Sequence, residues 1–314
     1  MMRILVTPRS ITAAGGHPAL EALQQASFEV VLCGDGKQPT EAQLIAALPG
    51  CVGYLAGVEP VTAAVLEAAD ALKVIARNGV GVDNVDLQAA AQRGIVVKPA
   101  IGANAQGVAE LAIAAMFNLA RAIPSSDRAI KTGGWKRTQG IELQGRTLGI
   151  LGCGQIGRRL ARMALGLDMR VLAYDVKPDD SFAPSPRFAY ASLDEVIRQA
   201  DVLSLHCPPP ADGSVLLDAQ RLDQTLRGVI IINTARHQLI DPEAALERLQ
   251  SGHIFGMALD VFETEPPQMT ALLSHERVIC TPHVGGFTGE SIDRAVQVAV
   301  QNLLEVLCPG SITA

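Results

Sequence analysis

The chain has 314 residues, 48% of them hydrophobic and 18% charged, with a formal net charge of −6. That length sets an expectation of about two domains, and the apolar share lies far from the disordered class. A mildly acidic chain with no basic block argues against a nucleic-acid binder, and no apolar run approaches the roughly 18 residues of a membrane span. The start, Met1-Met-Arg-Ile-Leu-Val-Thr7, lacks the long apolar segment of a secretory signal. Cys33, Cys51, Cys153, Cys207, Cys280 and Cys308 stand singly, with no C-x-x-C pair. They read as reduced thiols of a cytoplasmic protein, and no metal site is expected.

Residues 1 to about 100 alternate strands with helices. Ile4-Leu-Val6, Val30-Val-Leu32, Gly53 to Gly57, Leu72 to Ala76 and Ile95-Val-Val97 read as strands. Helices are expected at Pro18 to Ala26, Glu41 to Leu48, Val61 to Ala69 and Leu87 to Arg93. Such alternation implies a parallel sheet covered on both faces, with ligand-binding loops at the carboxyl edge. Two loops there stand out, Thr7-Pro-Arg9-Ser10 and Arg77-Asn-Gly-Val-Gly-Val-Asp-Asn84. The second is either a plain glycine turn or a nest of backbone N–H groups for an anion, and spacing does not separate the two.

An Ala-rich helix follows over Ala105 to Leu119, then a helix expected over Ser125 to Trp135 and closed by Gly133-Gly134. Next comes the buried strand Leu148 to Leu151 and the sequence Gly152-Cys-Gly154-Gln-Ile-Gly157 at G-x-G-x-x-G spacing. Gly152 allows a tight turn, Gly154 leaves room for a pyrophosphate, and Gly157 lets helix and strand pack closely. The helix that follows presents unpaired N–H groups to phosphates. Asp175 closes the next strand, 18 residues beyond Gly157, where a carboxylate accepts from an adenosine ribose and repels a 2′-phosphate. A bare glycine motif also reads as a plain turn, but strand, turn, helix and acid together point to dinucleotide binding, with NAD favoured over NADP.

The alternation then resumes. Helices Leu193 to Ala200, Gln220 to Arg227 and Pro242 to Gln250 lead to strands Val202 to His206, Val229 to Asn233 and Ile254 to Leu259. The strand Val278-Ile-Cys280 and the helix Glu290 to Leu307 close the chain. The unit of about 101–287 is thus a doubly wound sheet. Arg236, Glu265 and His283 follow three of its strands, so all three belong to the phosphate-loop edge. An Arg offers a fork for a carboxylate, a His carries the proton that accompanies hydride transfer, and a Glu fixes the tautomer of the His. The set suits reversible reduction of a 2-oxo acid. By spacing alone, a surface Arg, a loop acid and a satisfied loop His are the more ordinary reading.

With these motifs in order, the chain resembles the D-isomer-specific 2-hydroxyacid dehydrogenases, most closely the phosphoglycerate dehydrogenase-like branch. Arg77 to Asp86, Asn104 to Glu110, Gly149 to Gly157, Asp201 to His206, Asn233 to Arg236, Ala258 to Pro266 and Thr281 to Gly286 carry the resemblance, which spans nearly the whole chain. It implies Arg236 on the substrate carboxylate, His283 as acid/base and Glu265 as its partner. It places Asn78, Gly79, Val80 and Gly81 on the substrate carboxylate, with Val80 also near the nicotinamide. It sets Gln155 and Ile156 at the pyrophosphate, and Cys207, Thr234, Ala235 and Asp260 along the nicotinamide half. The implied architecture is a flavodoxin-like substrate domain (1–100 plus 288–314), a Rossmann NAD-binding domain (101–287) and a cleft between them. A homodimer is implied, with the Ala122 to Arg146 region as an arm, and no nucleic-acid or membrane partner.

The departures bear on substrate. Phosphoglycerate dehydrogenases carry an Arg where this chain has Ala56, so hydroxypyruvate, glyoxylate or another 2-oxo acid stands beside phosphoglycerate, and Arg9 is a candidate replacement for the missing charge. His237-Gln238 replace a usual Gly-Gly pair, and Lys98-Pro99 stands where Asn-x-Pro is common. The chain ends at Ala314, so feedback through a carboxy-terminal regulatory domain is not expected. The alternative from another class is a non-catalytic, NAD-sensing binding protein on the same fold.

Overall fold

The computed structural model describes residues 1–310. The chain divides into two compact units, one of Met1–Asn104 with the segment from Thr288 onward, the other Ala105–Phe287. The first unit is a parallel sheet of β1 (Met2–Val6), β2 (Phe28–Leu32), β3 (Cys51–Ala56), β4 (Val74–Arg77) and β5 (Val96–Pro99). Their order is β2-β1-β3-β4-β5, which is the flavodoxin-like arrangement. Neighbouring residues of a strand face opposite sides, and the core divides accordingly. Leu5, Tyr54 and Ile75 pack with Leu44, Leu48 and Leu66 on one face. Ile4, Leu55 and Val74 pack on the other, against Val296, Val300 and Leu303 of the last helix. That helix, Gly289–Leu307, begins where Thr288 accepts a bond from the Ser291 N–H at 3.1 Å. Although last in sequence, it packs on the sheet that comes first.

The second unit is a parallel sheet of β6 (Thr147–Leu151), β7 (Arg170–Tyr174), β8 (Phe188–Tyr190), β9 (Val202–Leu205), β10 (Val229–Asn233), β11 (Ile254–Leu259) and β12 (Val278–Cys280). The order β12-β11-β10-β9-β6-β7-β8 is the dinucleotide-fold order 3-2-1-4-5-6 counted from β6, extended by one strand. Every residue of β9 and β10 is buried, as the apolar runs require of strands covered on both faces. The helix Ala105–Ala120 lies in the same core as β6 and the helix Gln155–Gly166. Among the described residues no single helix is long and apolar enough to cross a membrane.

The structure corrects several boundaries. The helix expected over Ser125 to Trp135 is Ile123–Lys131; Gly133 takes φ +80°, and Trp135 lies beyond the helix, 84% exposed. The helix expected over Gln220 to Arg227 is Ala219–Asp223, capped by Asp218, which accepts from the Arg221 N–H at 2.8 Å. The loop Thr7 to Ser10 turns directly into a helical turn, Arg9–Ala13. Strand β8 was not foreseen, because three residues are too few to show a period. Edge-to-face ring contacts of Phe188 with Phe182 (5.2 Å) and Tyr190 (5.1 Å) hold it in place.

Leu303 is fully buried between the last helix and the sheet. Replacing it with Ala is expected to cost about 2–5 kcal/mol. Urea unfolding of the Leu303→Ala variant should show a lower midpoint for the first unit with an unchanged slope.

Candidate active site

All strands of the second unit run parallel, so the loops after β6, β7, β9, β10, β11 and β12 leave from one edge. The loop after β6 is shaped by close approach. Gly152 has φ +98°, and a Cβ there would lie 2.6 Å from the Cys207 nitrogen. At Gly157 a Cβ would lie 2.3 Å from the Gly152 carbonyl oxygen. At Gly154 a Cβ would meet nothing within 4 Å, so this glycine faces open space, as a pyrophosphate requires. No side chain caps the helix that starts at Gln155 and Ile156. An open pocket of about 460 Å³ beside this helix is lined by Gln106, Gln155, Arg158, Arg159, Arg162 and Met163.

Asp175 follows β7, and its two carboxylate oxygens accept from the Cys153 N–H (2.8 Å) and the Lys177 N–H (2.9 Å). Those bonds aim the carboxylate back at the glycine loop and leave each oxygen a lone pair for a ribose hydroxyl. Open Gly154, uncapped N–H groups and the buttressed acid fit a dinucleotide.

A buried side chain sets the loop after β10. Asn233, 1% exposed, accepts from the Ala235 N–H (3.0 Å) and donates to the Arg236 carbonyl (2.8 Å), stapling Thr234-Ala235-Arg236. The Arg236 guanidinium also donates to the Ala235 carbonyl at 2.7 Å. His206 bonds Ser204 Oγ at 2.8 Å and Thr234 Oγ1 at 3.4 Å, linking the ends of β9 and β10. Burial pushes the His206 imidazole down to about 3, so it is a neutral structural group. Half-buried Cys207 follows it, its thiol pushed up to about 11 by burial, and so is no nucleophile.

Asp260, 3% exposed, holds the loop after β12. Its Oδ1 accepts from the Thr281 hydroxyl (2.5 Å) and the Val284 N–H (2.9 Å), and its Oδ2 from the Gly285 N–H (2.8 Å). His283, between these anchors, takes φ +52°, a conformation uncommon outside glycine. Its Nδ1 lies 2.9 and 3.0 Å from the two Glu265 oxygens. Nδ1–H therefore faces the carboxylate, and Nε2 is the atom left for chemistry. The pair is substantially exposed, so its value lies in orientation rather than stability. Asn233, Leu259 and Cys280 are register partners at adjacent strand ends. Arg236 and His283 thus leave the sheet two strand spacings apart, about 10 Å.

In the first unit, the Asn78 N–H donates to the Ala56 carbonyl (2.8 Å), and the Gly79 carbonyl accepts from the Ala100 N–H (2.9 Å). Among the described residues, the N–H groups of Gly79, Val80 and Gly81 donate to no protein acceptor. Asn78 Oδ1 is buried without a partner. Unbonded N–H groups are what an anion nest would offer. Arg9 is exposed at the start of its helical turn. The supporting side chains Asn233, His206, Glu59 and Arg77 were not singled out by sequence. A polar residue inside an apolar run, as at Ser204 and Asn233, was the available signal.

The sheet order and the glycine loop define a dinucleotide-binding α/β protein. The family model described as "D-isomer specific 2-hydroxyacid dehydrogenase, NAD binding domain" matches residues 113–285. A D-3-phosphoglycerate dehydrogenase of Pongo abelii is 38% identical over 283 residues, 89% of this chain and 52% of that protein. A hydroxypyruvate reductase of Thermotoga maritima is 39% identical over 252 residues, covering 79% of this chain and 81% of that one. The crystal structure of the TT0316 protein from Thermus thermophilus superposes with a TM-score of 0.84 at 37% identity, covering 98% and 97% of the two chains. The chain belongs to the D-isomer-specific 2-hydroxyacid dehydrogenase family, and its second unit carries that family's NAD-binding domain. It spans about half the length of the phosphoglycerate dehydrogenase it matches.

Gly154→Ala should leave the fold intact, since the added methyl meets no protein atom. It should weaken NADH binding about tenfold, roughly 1.4 kcal/mol. A fluorescence titration with NADH, beside a melting curve that matches the wild type, checks both halves.

Proposed function

We propose that this chain is an NAD-dependent dehydrogenase of D-2-hydroxy acids, working reversibly on the matching 2-oxo acids. The observation that carries the reading is His283, held at a left-handed backbone position by the Asp260 anchors and turned by Glu265 so that Nε2 is free. Bound NADH supplies the hydride to the carbonyl carbon. His283 Nε2 delivers the accompanying proton to the carbonyl oxygen, and takes it back in the reverse direction. Arg236 grips the substrate carboxylate and polarises the carbonyl. The backbone around Asn78, Gly79, Val80 and Gly81 binds the same carboxylate through the N–H groups of Gly79, Val80 and Gly81, with Val80 against the nicotinamide. Gly152 to Gly157 hold the pyrophosphate, Asp175 the ribose, and Cys207, Thr234, Ala235 and Asp260 flank the nicotinamide half.

Ala56 ends β3 fully buried, so no cation stands there to hold a distal phosphate. That favours hydroxypyruvate, glyoxylate or a similar small 2-oxo acid, and leaves Arg9 as the candidate for an anionic tail. The names of the relatives, a phosphoglycerate dehydrogenase and a hydroxypyruvate reductase, support the class.

A homodimer is part of the proposal. The helix Ile123–Lys131 exposes Ile123 and Ile130, and Trp135 follows almost bare, an apolar patch suited to a second copy. Six thiols, none in a disulfide, support a cytoplasmic location.

NADH oxidation against phosphohydroxypyruvate, hydroxypyruvate, glyoxylate and pyruvate tests the reaction. His283→Ala should lower kcat by about 100-fold or more; equal rates in variant and wild type would refute the assignment. Arg9→Ala should raise KM about tenfold for phosphohydroxypyruvate and leave glyoxylate unchanged. Sedimentation velocity of an Ile130→Asp, Trp135→Ser double variant should show a monomer where the wild type shows a dimer.

A further inference from the structure

Two charged side chains lie buried beneath the carboxyl edge of the first unit. Glu59 is 1% exposed and Arg77 is 7% exposed. Burying an ion costs several kcal/mol unless its bonds are satisfied. Glu59 Oε1 accepts from the Tyr54 hydroxyl (2.6 Å), the Gly57 N–H (2.8 Å) and the Thr7 hydroxyl. Burial first, and then the Glu59 carboxylate, raise the Tyr54 phenol well above its ordinary range, so Tyr54 stays a donor. The Gly57 carbonyl, on the far side of the same residue, accepts from Arg77 Nη1. Asn84 Nδ2 adds a bond to the Glu59 carbonyl at 2.6 Å. Only glycine fits at position 57, where a Cβ would lie 2.6 Å from Glu59 Oε2 and 3.2 Å from the Pro8 Cα. One knot thus joins the loops that follow β1, β3 and β4.

Arg77 carries this knot into the anion nest. Its Nε donates to the Gly81 carbonyl at 2.8 Å. In a trans peptide the C=O and the next N–H point in opposite directions. Holding the Gly81 carbonyl inward therefore turns the Val82 N–H outward. The Ala100 N–H does the same at Gly79, turning out the Val80 N–H. The guanidinium also lies 3.1 Å from where a Gly79 Cβ would stand, so it packs under the loop it orients.

We propose that Arg77, seated through Gly57 on the Glu59–Tyr54–Thr7 set, is the positioning residue that holds the Gly81–Val82 peptide so that the Val82 N–H, beside the Val80 N–H turned out by Ala100, faces the substrate carboxylate. The inference rests on reading that loop as the carboxylate site. Arg77 acts through the Gly81 carbonyl and does not touch the substrate. A lysine cannot bond both the Gly57 and Gly81 carbonyls in this fixed fork.

The test is steady-state kinetics of Arg77→Lys with the best 2-oxo acid, beside NADH titration and a melting curve. KM should rise at least about tenfold, with kcat within about threefold and NADH affinity unchanged, the signature of lost uniform substrate binding. A folded variant with KM within about twofold of wild type overturns the proposal, as does a parallel loss of kcat and NADH affinity. If Arg77→Lys does not fold, Tyr54→Phe carries the test, because it removes one bond of the knot and leaves its shape. It should raise KM about threefold at constant kcat, and an unchanged KM overturns the proposal. Absence of turnover by the wild type with every 2-oxo acid would instead overturn the catalytic reading, and this proposal with it. Normal wild-type turnover with an unmoved KM in the variants overturns this proposal alone.

Discussion

Parallel pairing is the constraint on which the rest of the larger unit depends. Because β6, β9, β10, β11 and β12 run the same way, residues far apart in sequence leave the sheet at one edge. The ladder also fixes lateral distance, since each strand sits one hydrogen-bond spacing from the next. Chemistry that needs an Arg, a Glu and a His near a phosphate loop is then a matter of loop design. The apolar runs that build the strands are what make the polar loop residues converge.

Each loop is in turn held by a buried polar side chain rather than by packing alone. Asn233 staples the β10 loop, and Asp260 anchors both sides of His283. Glu59 plays the comparable part in the smaller unit, gathering three donors on one oxygen. In each case a carboxylate or amide commits its bonding capacity to backbone and hydroxyl groups. The result is a loop with one preferred conformation beside an exposed functional group. Both oxygens of Asp260 are engaged in fixing the His283 loop.

Both sheets were legible in the sequence because fully buried strands leave long apolar runs, as in Val229 to Asn233, between amphipathic helices. The glycine loop was legible because each glycine has a distinct steric duty, and the close approaches at Gly152 and Gly157 bear out those duties. The pairing of Glu265 with His283 was inferable as chemistry but not as geometry, since 18 positions separate them along the chain. The short β8 strand and the Glu59–Arg77 knot were not legible. Three residues carry no period, and a single acid in a loop looks the same whether it is solvated or buried under three donors. The Ile123–Lys131 helix ends before Gly133, whose φ of +80° breaks it short of the expected Trp135.

The smaller unit is discontinuous, and its order of assembly follows from that. Gly289–Leu307 covers one face of β3 and β4, yet it is the last of the described helices to be made. On the ribosome, Ile4, Leu55 and Val74 emerge long before the side chains that cover them. The middle of the chain, Ala105–Phe287, is complete in sequence before that cover exists. The unit that is read first is therefore finished last. Its uncovered apolar face makes the nascent chain, more than the folded protein, the species most in need of a chaperone.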